Sequence, residues 1–139
     1  MASRIEPTAD VVRRVAAIAA RLPEVLEQEA WTGVRWRIRT TTFAHVMVAQ
    51  PGYESAYRDI TGDDSVRTVL TFRAAGDELL ALTHAGWPFY KPPWSGTIVG
   101  MVLADDTDWT EVRELVTESY RTCAPQKLVR RLDEELGLA

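Results

Sequence analysis

The sequence predicts an α+β domain: a single antiparallel sheet of four to six strands, with helices packed on one face and the other face partly open. Apolar residues recur at helical spacing in one segment at the start of the chain and two at its end. Short runs between them alternate apolar and polar side chains, the pattern of strands with one buried face. At 139 residues with a single cysteine, the chain has the size of one domain that can bury a core without disulfides.

The first helix is expected over residues 8–22. Val11, Val15, Ile18 and Leu22 form its stripe, Thr8 suits the N-cap, Asp10 sits in the first turn, and Pro23 ends the helix. In 30–49, Trp36 and Ile38 alternate with Arg35, Arg37 and Arg39, so the two sets face opposite ways. Phe43, Val46 and Val48 suggest a second strand, with Thr40, Thr41 and Thr42 near the turn. β-Branched residues dislike positive φ, so the turn type stays open. Residues 50–65, with Pro51, Gly52, Gly62, Asp63 and Asp64, read as a long connection or a hairpin extension. A strand follows over 66–72, then a short helix from Gly76 to about Leu82.

The segment 85–96, AGWPFYKPPWSG, holds three prolines and four aromatics. It cannot be helical, and its prolines exclude a central strand, so it reads as a rigid extended loop. Residues 97–103 form the next strand. Asp108 caps the following helix, 108–123, with Glu111 in capping-box relation. Val112, Leu115, Val116, Ser119, Tyr120 and Cys123 make its inward face. Pro125 suits the first turn of a last helix lined by Leu128, Leu132 and Leu136 and ended by Gly137.

Several classes of function find no residues. The formal net charge is −4, against a broad charge-driven grip on nucleic acid, though a local basic patch can sit on an acidic body. Met1 to Ala20 lacks the pattern of a signal peptide, and no stretch approaches the length of a membrane span, so a cytoplasmic protein without membrane contact is expected. Cys123, His45 and His84 show no metal spacing, and no cofactor motif occurs. Asp105, Asp106 and Asp108 lack the glycine and distal glutamate of a calcium loop and read as a turn and helix cap. Cys123 lies on the apolar side of its helix, where a thiol is an inert small hydrophobe. No catalytic constellation emerges, and a non-enzymatic protein is expected.

Two constellations remain. Arg35, Arg37 and Arg39 would form a row of guanidiniums about 13 Å long, able to track phosphates. The competing reading is a solvated sheet face neutralised by carboxylates. Trp87, Phe89, Tyr90 and Trp94, beside Lys91, could stack on a base or a ligand ring, with an apolar pocket beneath the loop. The competing reading packs these rings down as a lid over the core.

The motifs themselves are similar to those of a known family. Pro88-Phe89-Tyr90-Lys91-Pro92-Pro93, the following Gly96, Asp105-Asp106-Thr107-Asp108-Trp109, Tyr120-Arg121 and Ala124-Pro125-Gln126-Lys127-Leu128 occur in an order that resembles the MmcQ/YjbR family. Leu22-Pro23, Trp31, Arg37 and Phe43-Ala44 extend the likeness toward the N-terminus, so that it covers nearly all of 1–139. The resemblance implies a compact α+β fold similar to the frataxin-type sheet, described as a double-wing DNA-binding motif, with no catalytic residues to carry over. Thr41-Thr42 stand where the family often has Gly-Lys, Gln126 where it often has lysine, and Met101 where an aromatic usually follows the second loop glycine.

Two functions follow as expectations. One is a DNA-binding or DNA-associated module that uses Arg35, Arg37, Arg39, Lys91 and Lys127. The other is a small-molecule or protein-interaction domain that uses Trp87, Phe89, Tyr90 and Trp94. Monomer and dimer both fit the pattern.

Overall fold

The computed structural model describes residues 5–138. Its elements are α1 (Ala9–Ala19), β1 (Leu26–Glu29), β2 (Val34–Ile38), β3 (Thr41–Ala49), α2 (Ser55–Thr61), β4 (Arg67–Arg73), α3 (Gly76–Thr83), β5 (Phe89–Tyr90), β6 (Ile98–Leu103), α4 (Trp109–Cys123) and α5 (Gln126–Glu135). The strands pair antiparallel in one sheet, ordered β1-β2-β3-β4-β6-β5. The α+β class and its single sheet are therefore as the alternating runs predict.

Strand alternation sorts the side chains into two layers. Trp36, Ile38, Val46, Leu70, Phe72, Val99 and Met101 face α1, α4 and α5, which bury Val15, Val112, Val116, Leu128 and Leu132 against them. The opposite face carries Ala49, Val69 and Val102, and a smaller cluster covers only that end of it: Tyr57 of α2 with Tyr53 and Tyr90. These three tyrosines meet edge-to-face with centroids 5.6–6.0 Å apart. The Tyr90 ring lies so close over β6 that a Cβ on Gly100 would fall 2.0 Å from it, and glycine is what that approach requires.

A bulge on β3 shapes the rest. Trp36 pairs with Ala44 but Arg37 with Thr42, so Phe43 is the extra residue and turns inward beside Ala44. The bulge takes the Phe43 carbonyl and the Arg73 N–H out of the ladder. Ser119 of α4, wholly buried, serves both: its hydroxyl donates to Phe43 O (2.6 Å) and accepts from Arg73 N (2.8 Å).

Several local expectations are corrected. The β2–β3 turn is Arg39-Thr40, and Arg39 takes the left-handed conformation (φ 56°), which spares the threonines. Residues 50–65 hold α2, ended by Gly62 in the left-handed region. Strand β1 precedes the expected hairpin. The loop 85–96 contributes the two-residue edge strand β5, kept short because Pro88, Pro92 and Pro93 around it lack donors; the Trp87–Pro88 bond is cis. Helix α1 stops at Ala19, three residues before Leu22, and Thr8 caps it without a side-chain bond. Pro125 stands at the N-cap of α5, and Leu136 lies past its end, 47% exposed. Asp108 caps α4 as expected, accepting from the N–H groups of Thr110 and Glu111.

Candidate functional site

Helix α2 covers only the Ala49–Val69–Val102 end of its sheet face, and a pocket of about 350 Å³ opens beside it. Its floor is built from three neighbouring strands: Arg35 of β2, His45 and Met47 of β3, Thr71 and Arg73 of β4. Arg35 stands opposite His45, and His45 opposite Thr71, so these groups form one cross-strand row. Tyr53 closes one side, its hydroxyl 2.7 Å from that of Tyr90. Two tryptophans from separate loops form the rim. Trp31 is 84% exposed and Trp94 64%, with the Trp94 indole N–H held by the Glu54 carboxylate at 2.9 Å.

The cations of this face are oriented by neutral partners. Gln28 of β1 accepts from Arg35 Nε (2.9 Å) and Nη2 (2.7 Å) and from Arg37 Nη1 (3.3 Å). Arg73 donates to Thr42 O (3.2 Å) and Thr97 Oγ1 (2.9 Å). Among the described residues, no carboxylate pairs with Arg35, Arg37 or Arg73. Alternation explains the absence at the β1 edge. Gln28 shares the face of its partner Arg35, while Glu27 and Glu29 pair with Trp36 and Val34 and so fall on the other side. Glu27 there accepts from the Trp36 indole (3.0 Å).

His45 Nε2 lies 2.6 Å from the Thr32 carbonyl, which can only accept, so this nitrogen carries the proton. Burial pushes the ring below its ordinary pKa; the Thr32 bond opposes that shift and the Arg35 charge adds to it. The imidazole is therefore neutral near pH 7. Burial also drives the Tyr53 hydroxyl up to about 12, and Tyr90 moves in the same direction for the same reason.

The sequence-expected residues divide between places. Arg35 and Arg37 share the open face. Arg39 leaves their row because the turn redirects it to Glu24 (3.2 Å). Lys91 folds back onto the carbonyls of Pro92 and Ser95 and braces its own loop. Lys127 is exposed on α5, in the helical layer. In the aromatic loop, Phe89 packs into the main core and Tyr90 into the tyrosine cluster, so the space directly beneath the loop is filled. Trp94 borders the open-face pocket. Trp87 borders a different one, beside Asp108 and Glu111. Sequence reasoning missed Arg73, Tyr53, Thr71 and Trp31 as site residues. The available signal for Arg73 was the alternation Val69, Thr71, Arg73; for Tyr53 it was the helical spacing to Tyr57 and Ile60.

A second cavity, about 410 Å³, lies among α1, α4 and α5. Arg21, Arg113 and Glu135 mix both signs around its leucine floor, so it selects no ligand charge. Among the described residues, no group of three acidic, histidine or cysteine side chains could hold a metal, and no helix is long and apolar enough to cross a membrane.

No curated protein and no solved structure matches the chain. The YjbR family model matches residues 20–122, from the end of α1 almost to the end of α4, and so takes in the whole sheet and both rims of the pocket. With that match covering most of its 139 residues, the chain belongs to the YjbR family.

Proposed function

We propose that this protein is a non-enzymatic module that binds nucleic acid on the uncovered face of its sheet. One observation carries the reading: Arg35, Arg37 and Arg73 stand together without a carboxylate partner among the described residues, on a chain whose net charge is −4. Guanidiniums already oriented by neutral acceptors keep their charge available to an incoming phosphate. Binding is favoured over catalysis because the His45 proton is committed to a backbone carbonyl and burial raises the Cys123 thiol.

The test is fluorescence anisotropy with labelled oligonucleotides between about 50 and 200 mM salt. Three phosphate contacts give a slope of log K on log salt of about −2 to −3. Arg35→Ala, Arg37→Ala and Arg73→Ala each flatten the slope by about 1, while Arg39→Ala and Lys127→Ala leave it unchanged. Absent or salt-independent binding to every oligonucleotide sinks the proposal.

A second reading is a small-molecule site. The pocket volume of about 350 Å³ favours it, since that lies within the range of drug-sized ligand sites. Its mark would be thermal stabilisation, worth about 2.7 kcal/mol at a hundredfold excess over Kd, by a free aromatic anion that no oligonucleotide reproduces.

A further inference from the structure

We infer that the occupant of this face is an unpaired nucleobase with its phosphate, so that the protein takes single-stranded nucleic acid in preference to duplex. The inference rests on the nucleic-acid reading above and names the strand state.

The shape of the pocket favours a single strand. The guanidiniums of Arg35 and Arg73 are half-buried in the floor of the pocket, and the exposed indoles of Trp31 and Trp94 stand at its rim. A phosphate can reach that floor only if the chain carrying it passes between the rims. A duplex presents phosphates on a stiff convex surface, with its base faces covered by their neighbours. A single strand can lower a phosphate to the floor and turn a base against an indole, because an unpaired base offers an open π-face.

Cation number points the same way. Arg35 and Arg73 line the pocket and Arg37 shares the Gln28 oxygen with Arg35 on the same face, while Arg39 pairs with Glu24 and Lys127 lies in the helical layer. A duplex-binding surface needs cations spread along the backbone, commonly six to ten contacts. This patch is too short for that, and the rest of the molecule is anionic. Stacking compensates in a single strand, where each base on an aromatic ring adds affinity that salt does not screen.

The floor also offers groups that suit an unpaired base. His45 and Thr71 lie side by side on adjacent strands within the pocket. Neutral His45, with its proton on Nε2, keeps Nδ1 as an acceptor. Together with the Thr71 hydroxyl it can meet the exposed edge of an unpaired base; in a duplex that edge is occupied by the partner base.

The experiment compares fluorescein-labelled oligo(dT), oligo(rU) and a hairpin duplex of equal length, by anisotropy at low salt, with intrinsic tryptophan fluorescence read in parallel. The expected result is tighter binding of a single strand than of the duplex, with quenching of tryptophan emission. Preference for oligo(dT) or for oligo(rU) supports the inference and identifies the sugar. Trp94→Ala weakens single-strand binding roughly tenfold or more, Trp94→Phe restores most of it, and Trp87→Ala, on the other pocket, changes nothing. Trp94 is an exposed loop residue, and circular dichroism verifies the fold of each variant. Duplex binding as tight as single-strand binding, weakened by Arg35→Ala but indifferent to Trp94→Ala, overturns the inference and leaves the sheet face standing as a duplex site. Absence of binding to all three probes overturns both.

Discussion

Replacing Gln28 with glutamate alters the charge of the open face and almost nothing else. The two side chains are nearly isosteric, and Gln28 Oε1 already accepts from Arg35 at 2.9 and 2.7 Å and from Arg37 at 3.3 Å. In Gln28→Glu a carboxylate oxygen takes that position, and the same bonds become charge-assisted. Folding stability should hold or rise by up to about 1 kcal/mol, since the pair is partly exposed. Binding should fall, because one or both arginines are now neutralised. The salt law gives the size: each lost phosphate contact costs about 5- to 8-fold at ~0.1 M salt, and two cost about 25- to 60-fold. Anisotropy titrations of wild type, Gln28→Glu and Gln28→Ala measure this, with thermal melts as the control. Gln28→Ala frees the guanidiniums without adding charge, so it should bind within about threefold of wild type. If Gln28→Glu binds as well as wild type while its melt is intact, the phosphates do not sit on Arg35 and Arg37, and the electrostatic argument fails.

The remaining predictions concern the scaffold. Ser119→Ala leaves the Phe43 carbonyl and the Arg73 N–H buried without partners and should cost about 2–4 kcal/mol in urea unfolding; a loss under about 0.5 kcal/mol would mean that water reaches both groups. Gly33→Ala should cost more than about 1 kcal/mol and disturb Trp31 and Thr32 beside it, because φ is +73° and a Cβ would lie 1.8 Å from the Val46 carbonyl oxygen; an unchanged melt would refute the close approach. His45, lowered from 6.5 by burial, binds its proton later in the folded state than in the unfolded one. Its contribution to stability is thus complete above about pH 6.5 and is lost as the pH falls below that; His45→Gln should flatten this acid limb of the stability profile, and an identical limb would assign it to carboxylates. Tyr53 is raised to about 12 and Tyr90 is raised too, so both should resist ionisation at pH 10–11 in an absorbance titration, with stability falling as the pH climbs past 10. A full tyrosinate step in the folded protein near pH 10 would contradict that burial.

Elements with a strong period were legible in the sequence, and those without one were not. Helix α4 announces itself through Asp108 and the stripe Val112, Leu115, Val116, Ser119 and Tyr120, all buried as expected. Strand β1 has the sequence LEQE, no apolar alternation and mostly exposed residues, as suits an edge strand protected by charge. Helix α2 is seven residues long and buries only Tyr57, too short for a periodic signal between its flanking glycines. Arg39 was misplaced for a subtler reason. Extending the β2 alternation by one residue is correct arithmetic, but the chain turns there, and the threonines after it pass the positive φ to the arginine. The candidate site needed the fold itself, since Arg73 reaches Arg35 only through the β3–β4 pairing and Trp94 reaches Trp31 only across the sheet.

Net charge was the least informative of the sequence's numbers, and the reason is geometric. A total of −4 sums over two sheet faces and a helical layer, whereas a ligand meets only one of them. Period-two alternation sorts charges by parity before any contact is made. On β1, Glu27 and Glu29 fall to one side and Gln28 to the other; on β2, Arg35 and Arg37 fall to the side of Gln28. The neutral residue on β1 thus stands where a glutamate would have silenced both arginines. The bulge at Phe43 extends the same sorting along β3. It places Thr42 opposite Arg37, and its carbonyl then receives Arg73 Nε. Were the ladder regular here, with Phe43 opposite Arg37 and Thr42 opposite Ile38, Phe43 would face away from the helices and Thr42 would turn into the core. The same local irregularity that gives α4 its buried serine therefore also sets the Thr42 carbonyl that receives the third guanidinium, which the alternation of β4 places on the face of the other two.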